Sequence, residues 1–325
     1  MPGADDRLLA SAVCFCFDSM LLLLLRLFAR LPLRVLHALG RFFGRLIYML
    51  PGRYRTRLQA NATQAGYDDP AFWRRAAAET GAMIFETPKV WLHEAACLRV
   101  STVANLDVYE QARATGRGIL FLTPHLGCFE VSARTMALHQ PMTVMFREPR
   151  SALLRPVMEV ARSNSVLRAV PATTRGVRDF VRTLRRGEAI GMLPDQVPGQ
   201  GEGVWADVFG RPAYTVTLPG RLAQQTGVVI LMAACERLPK GAGWRIHFER
   251  VPDPLPTDPK EQADLINAAM EKLIRRFPEQ YLWSYHRYKV PKGARAVPPD
   301  DTGAHAGGTP AEALRDHHDH DHHRQ

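Results

Sequence analysis

Between residues 118 and 123 the chain reads Gly-Ile-Leu-Phe-Leu-Thr, with no polar side chain before the threonine, and Pro124 and Gly127 follow at once. An apolar run this short, stopped by turn residues, reads as a buried strand over 118–123, a turn over 124–127 and a helix over 129–138, where apolar and small residues recur at helical spacing. The alternation continues. Residues 142–146, 189–193, 228–233 and 244–248 are strand-like, while 178–186, 219–226 and 261–277 are helical, and Asp69-Pro70 opens a helix that ends near Thr87-Pro88. The expected fold class is α/β, a mixed sheet flanked by helices.

His125 falls in the turn, and Glu130 follows five residues later. Within one helix that spacing would set the two side chains about 140° apart, so they meet only if His125 precedes the helix. A neutral imidazole, with an ordinary pKa of about 6.5, takes a proton from a hydroxyl when a carboxylate holds its other nitrogen. No Gly-x-Ser-x-Gly elbow occurs, and Cys128 is flanked by apolar residues, so the nucleophile is expected from the substrate. Asp195-Gln196 closes the 189–193 run and should reach the same sheet edge as His125, where open α/β sheets build their sites. Arg147 ends another strand, where a guanidinium suits a phosphate or carboxylate. On spacing alone, Arg147 fits a surface charge equally well and Asp195 a turn cap. The glycine-rich run 198–203 lacks phosphate-loop spacing and reads as a flexible loop.

Further motifs stand in order: Phe146-Arg147 with Pro149, Leu193-Pro194-Asp195-Gln196, Phe209-Gly210 followed by Thr215, and the segment 278–289. With His125-x4-Glu130 they make the chain resemble the late acyltransferases of lipid A biosynthesis, within the His-x4-Asp/Glu glycerolipid acyltransferase superfamily. That resemblance implies a glycerolipid-acyltransferase-like fold. It also implies transfer of an acyl chain from acyl-carrier protein to a hydroxyl of a phosphorylated glycolipid, a Kdo-bearing tetra-acylated disaccharide. His125 and Glu130 would be catalytic, and Arg147, Arg175, Asp195 and Gln196 would bind substrate, with no metal or cofactor. The acceptor is alternatively another glycolipid or a lysophospholipid. A non-catalytic membrane-bound metal-binding protein, working through its histidine-rich tail, is the reading from a different class.

Charge and the chain ends bear on partners. The net charge is +10, and only six of the 42 basic residues are lysines. Such a surface attracts anionic phospholipid, phosphorylated substrate and an acidic carrier protein. No nucleic-acid partner is expected, since no helix-turn-helix, zinc-finger or RNA-binding aromatic signature is visible. Asp18 is the only charge in residues 8–25, a stretch at the lower length limit of about 18 residues for a membrane span. In residues 32–51, Arg34, His37, Arg41 and Arg45 share one helical stripe, and Leu36, Leu39, Phe43, Leu46, Ile47 and Leu50 crowd the other, as in an interfacial helix. Arg26, Arg30 and Arg34 favour the cytoplasmic face of an inner membrane. The expected organisation is membrane-anchoring helices over 1–51, an acyltransferase domain over 52–293 and a disordered tail over 294–325. Five scattered cysteines suit a reducing compartment. Trp283, Tyr285 and Tyr288 suit either a core cap or a membrane interface.

Overall fold

The computed structural model describes residues 20–146, 158–159 and 165–294. Arg147, most of the 8–25 stretch and the histidine-rich tail therefore lie outside the described residues. Seven strands form one sheet: β1 (Ser101–Val103), β2 (Ile119–Leu122), β3 (Met142–Phe146), β4 (Arg168–Pro171), β5 (Ala189–Met192), β8 (Val229–Arg237) and β9 (Trp244–Arg250), in the order β1-β9-β8-β2-β5-β3-β4. Only the β8–β9 pairing is antiparallel among these neighbours, so the sheet is mixed. Before and between the first strands run α1 (20–30), α2 (Leu33–Met49), α3 (Arg53–Gln64), α4 (Pro70–Leu92), α5 (Glu94–Leu98) and α6 (Leu106–Ala114). Later come α7 (Phe129–Met136), α8 (Thr174–Arg185), α9 (Leu218–Thr226) and α10 (Pro259–Arg276).

Strand β2 is apolar throughout because helices cover both faces of the sheet. Ile119 and Phe121 join Tyr109 of α6 and Val131 of α7 in one core. Leu120 and Leu122, pointing the other way, join Phe180 of α8 and Met270 of α10 in a second.

Helix starts follow their caps. The Asp69 carboxylate accepts from Ala71 N at 2.8 Å and Phe72 N at 3.1 Å, with Pro70 at the first helical position. The far end of α4 departs from the sequence expectation, for the helix runs through Pro88 to Leu92. Proline there removes only the donor that would reach the Ile84 carbonyl. Ile84 lies on an exposed face, and the buried Val90 carries the helix onward. Helix α8 begins before residue 178, at Thr174, because Thr173 caps it by accepting from Gly176 N. Its start places Arg175 inside the helix. The motif around Phe209-Gly210 proves to be a hairpin turn joining β6 (Gly203–Val208) and β7 (Arg211–Val216). Both turn residues have positive φ, 50° and 70°, as tight hairpins with right-handed twist require.

Helix α2 turns Leu33, Leu36, His37, Gly40, Gly44 and Tyr48 toward the protein, so Leu36 leaves the expected apolar stripe for the buried face. Two residues of the expected polar stripe meet α4, with His37 Nε2 2.8 Å from Glu86 and Arg41 Nε 2.6 Å from Glu79, while Arg34 and Arg45 are exposed. Arg237 of β8 bonds both carboxylates, at 3.0 Å to Glu86 and 2.7 Å to Glu79. Burial opposes ionisation of Glu86, but the Arg237 charge, then the His37 hydrogen bond, hold its carboxyl down to about 2. The helices approach closely enough that a Cβ on Gly40 would stand 2.6 Å from Gly81 O and one on Gly44 2.3 Å from Ala77 O. Leu39, Phe42, Phe43, Leu46, Ile47 and Leu50 are left exposed on the outside. No helix among the described residues is long and apolar enough to cross a membrane. Trp283 and Arg287, by contrast, are buried, so that aromatic segment caps the core.

Candidate active site

Strands β2, β5, β3 and β4 are mutually parallel neighbours, so their carboxyl ends share one edge of the sheet. The turn after β2 delivers His125 there, the loop after β5 delivers Asp195 and Gln196, and the loop after β4 leads to Arg175. Backbone bonds fix the His125 turn from two sides. Cys128 N donates to Cys235 O at 2.9 Å, and Gly127 N to Gln280 O at 2.9 Å, while Leu282 N donates to His125 O at 3.0 Å. Gly127 is required: its φ is 61°, and a Cβ there would fall 1.8 Å from Cys235 O.

Asp195 holds His125 twice. Its Oδ2 accepts from His125 N at 2.9 Å, and its Oδ1 lies 2.9 Å from the imidazole Nδ1. A carboxylate only accepts, so Nδ1 carries the hydrogen and Nε2 keeps its lone pair. Burial disfavours the imidazolium, but the Asp195 charge and hydrogen bond, with the nearby Glu130 charge, outweigh it and raise the His125 pKa. Burial likewise opposes ionisation of Asp195, and attraction and hydrogen bonds from His125 overcome it, so this carboxyl lies below its ordinary value. The exposed Gln196 sets its side-chain nitrogen 3.5 Å from Nε2. Behind it, Val197 N donates to the Tyr285 hydroxyl at 2.9 Å, tying the loop to the C-terminal segment.

Glu130, expected from its spacing to hold the imidazole, instead bonds Arg134 one helical turn on, at 2.6 Å. Second in α7, it faces along the helix toward its i+4 neighbour rather than back to the turn. Arg134 also bonds the buried Glu94 at 2.9 Å, and Glu94 accepts from Ser165 Oγ at 2.8 Å and Val166 N at 2.9 Å. Arg134 and Glu94 escape the sequence reading, which takes Tyr285 only as a core cap or membrane-interface residue. Only the Glu130/Arg134 spacing carried a local signal. Cys128 is buried, and burial first, then the Glu86 charge, push its thiol well above the ordinary value, which leaves no thiolate nucleophile there. Arg175 is exposed at the start of α8. Strand β4 stands three neighbours from β2 in the sheet, about 14 Å at ordinary strand spacing.

The arrangement is an imidazole held by a buried orienting carboxylate at a sheet edge, with Nε2 turned to the exposed Gln196 side chain. Comparison with known proteins supplies the family. Residues 7–290 match the family described as bacterial lipid A biosynthesis acyltransferase. The lipid A biosynthesis palmitoleoyltransferase of Escherichia coli (strain K12) is 28% identical over 212 residues, covering 65% of this chain and 69% of the relative. The lauroyltransferase of the same organism is 25% identical over 217 residues, 66% of this chain and 70% of the relative. Its myristoyltransferase is 28% identical over 201 residues, 59% and 60%. With a family match along nearly its whole length, the chain is an acyltransferase and belongs to the bacterial lipid A biosynthesis acyltransferase family.

Proposed function

We propose that this enzyme moves a fatty acyl chain from acyl-carrier protein to a hydroxyl of a Kdo-bearing, tetra-acylated, phosphorylated disaccharide precursor of lipid A. The observation that carries the reading is the His125–Asp195 pair, which leaves Nε2 as a lone-pair base at the open edge of the sheet. His125 Nε2 takes the hydroxyl proton as the oxygen attacks the thioester carbonyl carbon. The carbon–sulfur bond then breaks, and the carrier thiolate leaves with the proton returned by the imidazolium. Asp195 stabilises that imidazolium directly and Glu130 by its charge nearby. The Gln196 carboxamide, beside Nε2, contacts the reacting carbonyl. Arg147 and Arg175 hold acceptor phosphates, Arg175 at a distance that suits a large headgroup rather than the reacting hydroxyl.

The transfer is tested with labelled acyl-carrier protein and that disaccharide in detergent, with acyl-coenzyme A, lysophospholipid and other glycolipids as parallel substrates. Product from the carrier-protein donor and disaccharide is expected. Silence with that pair, beside activity on another, would move the donor or acceptor assignment to the other.

The exposed apolar face of α2, joined by Leu23, Leu24 and Leu27 of α1, supports working at the cytoplasmic face of the inner membrane. Phe42→Ser combined with Ile47→Ser is expected to weaken sedimentation with anionic phospholipid vesicles severalfold. Equal sedimentation of variant and wild type would remove α2 from this reading.

A further inference from the structure

Between α7 and the face of β3 and β5 lies a cavity of about 160 Å³. An apolar cavity of about this size holds a benzene ring, roughly six carbon atoms. It borders the site, for Thr123 and Phe129 line it on either side of His125, and the Phe129 ring centre stands 4.6 Å from that of the imidazole. Glu130 and Arg134 are its charged lining residues among those described, and they neutralise one another at 2.6 Å. Glu94 holds Arg134 from behind at 2.9 Å. A wall whose charges are already paired suits hydrocarbon and offers no free charge to a hydrated headgroup.

Gly191 accounts for part of the space. Its backbone is not left-handed, so no conformational demand excludes a side chain there. A Cβ built on it would meet only side-chain atoms: Val144 Cγ1 at 3.2 Å, Met142 Cε at 3.7 Å and Ala133 Cβ at 3.9 Å. Glycine weakens a strand interior, and what it leaves in return at this position is room. Val144 and Ala133 line the same cavity.

We infer that this cavity receives the distal end of the donor's acyl chain and that Gly191 sets the longest chain the enzyme accepts. The inference rests on the transfer reaction proposed above. It is tested with carrier-protein thioesters bearing saturated chains of eight to sixteen carbons, each with the same disaccharide acceptor. For Gly191→Ala and Gly191→Val, the longest chain used by wild type should lose about 10- to 200-fold in kcat/KM relative to one shorter, the range one methylene commands in an apolar site. Val144→Ala should move the preference toward longer chains. An identical length profile for wild type and all three variants overturns the assignment while leaving the transfer reaction standing. Absence of product from wild type with every donor counts against the transfer reaction itself.

Discussion

Replacing His125 with alanine is expected to lower acyl transfer by about 10²- to 10⁴-fold, the range that a positioned general base contributes. The loss should fall on kcat, because a general base acts in the transition state rather than in holding either lipid. The fold should survive. Asp195 is buried, but it keeps the hydrogen bond from the residue 125 backbone N–H, which does not depend on the side chain. Single-turnover transfer of labelled donor, with a thermal unfolding curve close to wild type, is the measurement. Residual activity within tenfold of wild type would remove His125 from the chemistry.

Exchanging Asp195 for asparagine should cost a similar 10²- to 10⁴-fold, because an amide no longer presents a charged acceptor to Nδ1 and the working tautomer loses its anchor. The pH profile gives a second readout. As the proposed base, His125 would act only when neutral, and its raised pKa should place the acid limb of kcat/KM above the ordinary histidine value. In Asp195→Asn the charge that raised it is gone while burial, which lowers it, remains, so the limb moves to lower pH. Glu130→Gln should shift the limb the same way but less, since Glu130 bonds Arg134 and reaches His125 through charge alone. If Glu130→Gln had the larger effect on both rate and limb, Glu130 rather than Asp195 would hold the imidazole during turnover.

That contrast shows where sequence reading succeeds. The apolar run into β2, the turn after it and the start of α7 are local properties, set by residue type and period, and they place His125 correctly. The partner of its Nδ1 is not local. Asp195 lies seventy residues away and reaches the imidazole because β5 happens to neighbour β2, a pairing no periodicity encodes. Spacing could locate Asp195 at the right edge without revealing its contact. The same limit explains α2: its amphipathic period is legible, but that His37 and Arg41 turn inward beside Leu36 depends on Glu79 and Glu86 of α4 and Arg237 of β8. Pro88 shows the converse, a strong local stop signal overridden by packing beyond it.

The inward charges of α2 have a mechanical consequence. Arg237, which binds both α4 carboxylates, shares a pair of hydrogen bonds with the Gln280 side chain at 2.7 and 3.1 Å, and the Gln280 carbonyl takes Gly127 N from the His125 turn. An unbroken run of bonds thus joins the helix that carries the greasy outer flank to the His125 turn. If that flank rests in lipid, the imidazole rides at a fixed standoff from the bilayer plane, and an acceptor must rise to meet it rather than the enzyme bending down.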